Sequence, residues 1–77
     1  MTTTILFFGA LKEITGSEKI DLQNIKDTEE VNEQLLQRYP LLKQKIYRIA
    51  LNKKLIIKNE LLNEGDIIAL LPPFAGG

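Results

Sequence analysis

Two spacings of hydrophobic residues alternate along this chain, and they predict strands on either side of one helix. Residues 3–8 are rich in β-branched and aromatic side chains, which predicts a first strand buried on both faces. Residues 19–22 alternate weakly between polar and apolar, so we expect them to pair antiparallel with the first strand. The segment between them, Leu11–Ile14, predicts a single helical turn that ends at Gly16.

A period near four predicts the main helix, from Thr28 to Tyr39. Val31, Leu35 and Tyr39 fall on one side of it, so this side is expected to pack against the sheet. The apolar residues expected to bring the chain back to the core after the helix are Leu41, Leu42 and Ile46.

Polar residues mark both ends of this helix. Asp27 is predicted to cap the N-terminus, with Glu30 completing a capping box three residues later. Pro40 disfavours helical geometry at the residue before it and therefore ends the helix.

The second half of the chain predicts further strands. Residues 47–51 alternate, with the odd-numbered positions on one face, and residues 52–54 turn the chain into the apolar run 55–57. A short segment at 61–62 precedes a last strand, 67–71, which begins directly after Gly-Asp.

The order of these elements predicts an α+β domain of β-grasp topology. One main helix packs on one face of a mixed, four- to five-stranded sheet. We place the domain in residues 1–71 and assign residues 72–77 to an extended C-terminal Gly-Gly tail.

The composition leaves little equipment for catalysis. The 77 residues include no His and no Cys, so there is no side chain that titrates near neutrality, no thiol nucleophile and no thiolate metal site. We expect no bound metal, and we expect one small domain that folds without disulfides.

Charge is balanced overall but unevenly distributed. The formal net charge is zero, yet residues 43–58 hold six bases and no acid. We interpret these bases as lysines that protect a sheet edge from aggregation. The alternative is a surface that steers a phosphate-bearing or acidic partner, while nucleic acid is not expected because no aromatic residues are interleaved for stacking.

The N-terminus predicts location. It lacks a positively charged start, and Gly9 interrupts its only apolar stretch, so neither a signal peptide nor a membrane span is expected. We expect a cytoplasmic protein that does not interact with membranes.

The last residues, Pro72–Gly77, are the most informative part of the sequence. Gly76 and Gly77 would weaken any regular element, but an end without Cβ atoms can enter a narrow channel and present its carboxylate to an enzyme. Pro72 and Pro73 favour an extended exit from the last strand, and the six residues span about 20 Å when extended. Phe74 is an apolar anchor for a partner surface.

Four segments resemble the small subunit of molybdopterin synthase, a MoaD-type sulfur carrier of the ubiquitin-like β-grasp family. The segments are Ile5–Glu13, Ala50–Asn52, Glu64–Asp66 and Leu71–Gly77. The resemblance covers essentially the whole chain, and its most specific element is Pro-Pro-x-x-Gly-Gly after a strand that begins with Gly-Asp.

The resemblance implies a chemistry for Gly77. An ATP-dependent partner would adenylate its carboxylate and convert it to a thiocarboxylate, so this chain itself would bind no cofactor. The partner-binding tail, listed as Pro72, Pro73, Phe74, Ala75 and Gly76, would insert into the large synthase subunit. That subunit would supply the catalytic side chains, and two small subunits would flank a dimer of large ones. The sulfur would then pass to a pterin precursor in molybdenum cofactor biosynthesis.

One departure and several alternatives stay open. Phe74 and Ala75 replace the small or β-branched residues often found between Pro-Pro and Gly-Gly, which leaves the fit of the inserted tail open. The alternatives are a sulfur carrier for thiamine, tRNA thiolation or cysteine synthesis, a ubiquitin-like protein modifier, and a β-grasp interaction module with an incidental tail.

Overall fold

A computed structural model describes residues 1–73, in which strands and helices follow the predicted order. Their bounds are β1 Thr2–Phe7, α1 Ala10–Thr15, β2 Lys19–Gln23, α2 Thr28–Arg38, a 3₁₀ helix Pro40–Gln44, β3 Arg48–Leu51, β4 Lys54–Leu55 and β5 Ile67–Leu71. Most of the predicted boundaries agree with these to within one residue.

The strands form one mixed five-stranded sheet in the order β2-β1-β5-β3-β4. The last strand lies in the middle, because β5 pairs in parallel with β1 and antiparallel with β3. The two outer pairs of the sheet are antiparallel, β1 with β2 and β3 with β4. With helix α2 packed on one face, this is the ubiquitin-like β-grasp fold, and the predicted α+β class is confirmed.

The core lies between the sheet and helix α2. Ile5 and Phe7 of β1 and Ile68 and Leu70 of β5 face the helix, and none of the four is more than 2% exposed. The apolar side of α2 closes over them as predicted, through Val31 and Leu35, both fully buried. Tyr39, the residue directly after α2, packs edge-on against Phe7 with 5.9 Å between the ring centroids.

The start of α2 is capped somewhat differently from the prediction. The Asp27 side chain accepts the backbone N–H of Glu30 at 2.9 Å, as expected. The Glu30 carboxylate, however, accepts the N–H of Lys26 at 2.8 Å rather than that of Asp27. The Asp27 side chain is also tied to the later loop, where Asn59 donates to its second carboxylate oxygen at 3.2 Å.

Burial of the first strand on both faces was a wrong prediction. In β1 the odd-numbered residues are buried, but Thr2, Thr4 and Leu6 are only partly covered. In the described part of the chain, α2 is the only helix long enough to cover a face of the sheet. Because it covers one face, the other face of β1 stays partly open.

Two further predictions need correction. Leu42 is buried, but Leu41 is 56% exposed, because a 3₁₀ helix turns through three residues and presents one narrow side to the core. Ile46, which lies between this helix and β3, is 77% exposed. The predicted strand 55–57 pairs only at Lys54–Leu55. Beyond Leu55 the chain leaves the sheet to reach the start of α2, where the backbone carbonyl of Glu60 accepts the N–H of Thr28. Ile57 lies on this route and is 93% exposed.

Candidate functional site

The face of the sheet opposite α2 carries an apolar trough. Leu6, Ala69, Ala50 and Leu55 lie side by side across β1, β5, β3 and β4, as the strand register shows. The two alanines in the middle are small and the flanking leucines are large, so the row is lowest at its centre. The resulting groove has a volume of about 460 Å³.

Large apolar side chains line this trough and remain in contact with solvent. Phe8 is 43% exposed, Leu55 51% and Ile67 44%. Among residues 1–73 the lining consists of Leu6, Phe8, Ala50, Asn52, Lys53, Leu55, Ile67, Ala69 and Leu71, which we call the open face. Contiguous exposed apolar surface of this kind is typical of protein interaction sites.

The tail begins at one end of the open face. Leu71 is the last residue of β5, Pro72 is partly buried beside it, and Pro73 is exposed. Of these three residues, Leu71 lines the trough, and the predicted tail starts directly after it. The other predicted site residues, Phe74, Ala75, Gly76 and Gly77, lie outside the described residues, and their roles stay predictions.

The opposite end of the open face is fixed by a tight turn. Asn52 and Lys53 have positive φ angles of 49° and 76°, as a two-residue hairpin requires. The Asn52 amide donates to Asp66 at 3.0 Å, and its oxygen accepts the N–H of Ile67 at 2.9 Å. These bonds hold the β3–β4 hairpin against the start of β5 and so shape the rim of the trough.

The same cluster sets the electrostatics at that end. The backbone N–H of Asn63 donates to Asp66 at 2.7 Å and, together with the Asn52 amide, lowers the pKa of the Asp66 carboxyl. Both bonds favour the charged form of the carboxylate. The Asn52–Asp66 bond also joins two segments of the family resemblance, Ala50–Asn52 and Glu64–Asp66, and so positions one against the other.

Two other side chains have shifted pKa values, and both have structural explanations. The pKa of Asp27 is lowered, first by the Glu30 backbone N–H and then by the Asn59 amide. Burial raises the pKa of Tyr47, whose hydroxyl donates to Asn32. Within residues 1–73, no three His, Cys, Asp or Glu side chains come together as metal ligands would.

The basic residues of 43–58 are distributed over several elements. Lys54 lies in β4, the edge strand of the sheet, and Lys53 lies in the turn that leads into it. Lys53 also lines the open face, so one base of this stretch lies at the rim of the trough. No helix among residues 1–73 has the length and apolar character needed to cross a membrane.

The open face is the part of the site that sequence analysis missed. Its signal was present in β1 and β5, where apolar residues occupy outward as well as inward positions. For the first strand, that pattern led to the prediction of burial on both faces. The alternative, one face for the core and one for a partner, requires knowing that the described chain offers one main helix to cover the sheet.

The fold and the trough together define a ubiquitin-like β-grasp protein with an apolar docking face beside a Gly-Gly tail sequence. The chain belongs to the ThiS family, whose sequence pattern matches residues 5–77. The resemblance noted from the sequence is thereby confirmed.

Three similar proteins indicate the range of this family's roles. The molybdopterin synthase sulfur carrier subunit of Mycobacterium tuberculosis is 35% identical over 78 residues, which covers 95% of this chain and 94% of that protein. In the complex of subunits 1 and 2 of molybdopterin-converting factor from Helicobacter pylori, the matching chain is 34% identical. Its TM-score is 0.79, and both chains are covered completely. Small archaeal modifier protein 1 from Methanosarcina acetivorans is 25% identical, with a TM-score of 0.84 over 99% of this chain and 96% of that one.

Proposed function

We propose that this chain is the sulfur carrier subunit of a molybdopterin synthase. The observation that carries the proposal is the position of the apolar open face, which ends at Leu71, directly before the tail that begins at Pro72. A carrier needs a surface that docks and an end that reacts, and these two features adjoin. The two relatives with about one-third identity, a named sulfur carrier and a subunit of a two-subunit complex, support this choice.

The reacting group in this proposal is the α-carboxylate of Gly77. One of its oxygens attacks the α-phosphate of ATP on an adenylating partner, and pyrophosphate leaves. A sulfur donor then displaces AMP from the acyl-adenylate, which leaves a C-terminal thiocarboxylate. ATP is bound by the partner, so this chain needs no cofactor of its own, and sulfur is carried on the backbone terminus of a chain without cysteine.

Docking brings the thiocarboxylate to its acceptor. The open face packs on the large synthase subunit, and residues 72–77, which can span about 20 Å when extended, enter that subunit's active site. The large subunit supplies the catalytic side chains, and two small subunits flank its dimer. The thiocarboxylate sulfur passes to the pterin precursor, and hydrolysis returns Gly77 to the carboxylate. We place the reaction in the cytoplasm.

Intact-mass measurement tests this chemistry directly. Incubation with the adenylating partner, ATP and a sulfur donor should raise the mass by about 16 Da, because sulfur replaces one oxygen. Subsequent addition of the large subunit and pterin precursor should reverse the gain. A variant that lacks Gly77 is the matched control and should show neither change. A chain that stays at its original mass under these conditions would contradict the proposal.

A ubiquitin-like protein modifier is the second candidate, and the similarity to the Methanosarcina acetivorans modifier protein favours it. In that case Gly77 would form an amide with a lysine of another protein. Adducts with other proteins, instead of a gain of about 16 Da, would identify this function. A carrier for another pathway would gain the same mass but would not lose it to the large subunit.

A further inference from the structure

Gly9 has a backbone conformation and a position that both strongly favour glycine. It links β1 to α1 with φ 59° and ψ −140°, a combination found almost only in glycine. A Cβ atom at this position would lie 2.9 Å from Cγ of Pro72, closer than real Cβ contacts allow. The missing side chain of Gly9 thus leaves the space that the Pro72 ring occupies.

This contact lies where two neighbouring strands separate. Phe7 pairs with Leu70, and the N–H of Phe8 donates to the Leu70 carbonyl at 3.2 Å, which is the last bond between the two strands within residues 1–73. Beyond it, Gly9 turns away into α1, while Pro72 begins the tail. The direction of the tail is therefore decided at this point.

Neither side of the contact can easily give way. Helix α1 follows Gly9 immediately and is anchored by Leu11, which is 4% exposed. The Leu11 and Lys12 N–H groups bond back to the carbonyls of Phe8 and Gly9, each at 3.1 Å. On the other side, Pro72 is rigid because the pyrrolidine ring fixes its φ. Its side chain is also partly buried.

We infer that Gly9 is a positioning residue for sulfur transfer: its close contact with Pro72 sets the direction in which the Gly-Gly tail leaves the open face. This inference deepens the proposed function and rests on it for its kinetic consequence. Transfer from an extended end requires the reacting atom to be placed accurately, and a misplacement of about 1 Å can lower a rate on the order of 100-fold.

Gly9→Ala tests the contact, and the chain offers a matched control. Gly16 also has a positive φ, 73°, but a Cβ there would meet no atom within 4 Å. Gly16→Ala therefore introduces backbone strain at the other end of α1 without touching Pro72. Pro72→Ala removes the ring atoms that the new Cβ would meet, so the double variant Gly9→Ala/Pro72→Ala should relieve the clash.

The first readout concerns direction alone and does not depend on sulfur chemistry. Because the chain has no cysteine, Ala75→Cys provides a unique site for a spin label on the tail. Paramagnetic broadening of amide signals then reports which part of the sheet the label visits. We expect Gly9→Ala to change the broadened set, Gly16→Ala to leave it as in the parent, and the double variant to match Pro72→Ala.

The second readout is the single-turnover rate of sulfur transfer from each thiocarboxylated chain without the label, at saturating large subunit. Gly9→Ala should lower this rate by about 10- to 100-fold while the affinity for the large subunit changes less than about threefold. Gly16→Ala should keep the parental rate, and the double variant should recover the rate of Pro72→Ala. Should Gly9→Ala fail to fold, Pro72→Ala alone tests the same contact and should change the label pattern.

The inference is overturned if the label pattern of Gly9→Ala equals that of Gly16→Ala. It is also overturned if the double variant Gly9→Ala/Pro72→Ala transfers sulfur as slowly as Gly9→Ala. A changed label pattern with no thiocarboxylate formed by any variant would support the positioning role and contradict the proposed function. An unchanged label pattern in Gly9→Ala, with normal formation of the thiocarboxylate, would contradict the positioning role and support the proposed function.

Discussion

Neighbouring residues of β5 lie in opposite surroundings on the two faces of the sheet. Ile68 and Leu70 are fully buried beneath α2, whereas Ile67 is 44% exposed on the open face and Ala69 lies at the bottom of its trough. The side chains are similarly apolar on both faces. The difference shows that a strand of this domain has two roles, with alternate residues serving stability and binding.

The largest effect is expected from a change on the covered face. Ile68→Ala removes a fully buried side chain and leaves a cavity, which should lower the free energy of unfolding by about 2–5 kcal/mol. Urea denaturation measures this loss. The affinity of the folded fraction for the large subunit should stay at the parental value, and an equal loss of affinity would show that the two faces are not independent.

A charge on the open face should lower the affinity for the large subunit and leave the free energy of unfolding nearly unchanged. Ala69→Glu places a carboxylate in the trough, so we expect affinity for the large subunit to fall on the order of 100-fold, about 2.7 kcal/mol. The free energy of unfolding should change by no more than about 1 kcal/mol. Titration calorimetry and urea denaturation give the two values.

The matched control adds the same charge elsewhere. Gln37→Glu lies on the exposed side of α2, where we expect parental affinity and stability. If Gln37→Glu weakened binding as much as Ala69→Glu, the partner would contact the helix, and the assignment of the open face would be wrong.

Phe74→Ala should have a smaller effect on the same partner. Loss of this predicted aromatic anchor is expected to weaken binding to the large subunit by about 1–3 kcal/mol. Stability should be unchanged, because exposed chain ends contribute little to the core. Equal affinity of the variant and parent in calorimetry would remove Phe74 from the interface.

The smallest effect concerns acid stability. The pKa values of Asp27 and Asp66 are lowered in the folded chain, so the unfolded chain binds more protons in acid. Their contribution to stability is present above the ordinary carboxyl pKa of 3.8 and is lost as pH falls through the folded values. Unfolding free energies measured between pH 6 and pH 2 should therefore decline more gently for Asp66→Asn than for the parent. Parallel curves would show that Asp66 does not contribute.

Local patterns in the sequence predicted most of the fold. The four-residue period identified α2 and its buried side, and Asp27 and Pro40 marked its ends within a residue. These signals are local, because helix periodicity and capping depend on residues three or four positions apart. The Gly-Gly tail and the flanking motifs also sufficed to indicate the family.

Features that depend on distant parts of the chain could not be predicted in this way. The exposure of Leu6 and Ile67 depends on which face α2 covers, and the early end of β4 depends on the route back to Asp27. The contact of Gly9 with Pro72 joins residues at opposite ends of the sequence through the parallel pairing of β1 and β5. Nothing near Gly9 in the sequence indicates it.

Chemical-shift mapping of this chain on titration with the large synthase subunit tests the central claim most directly. We expect the largest changes at Leu6, Ala50, Leu55 and Ala69, the row that forms the trough, and little change at exposed positions of α2 such as Glu33 and Gln37. Changes concentrated on α2, with the trough unaffected at saturation, would contradict the account.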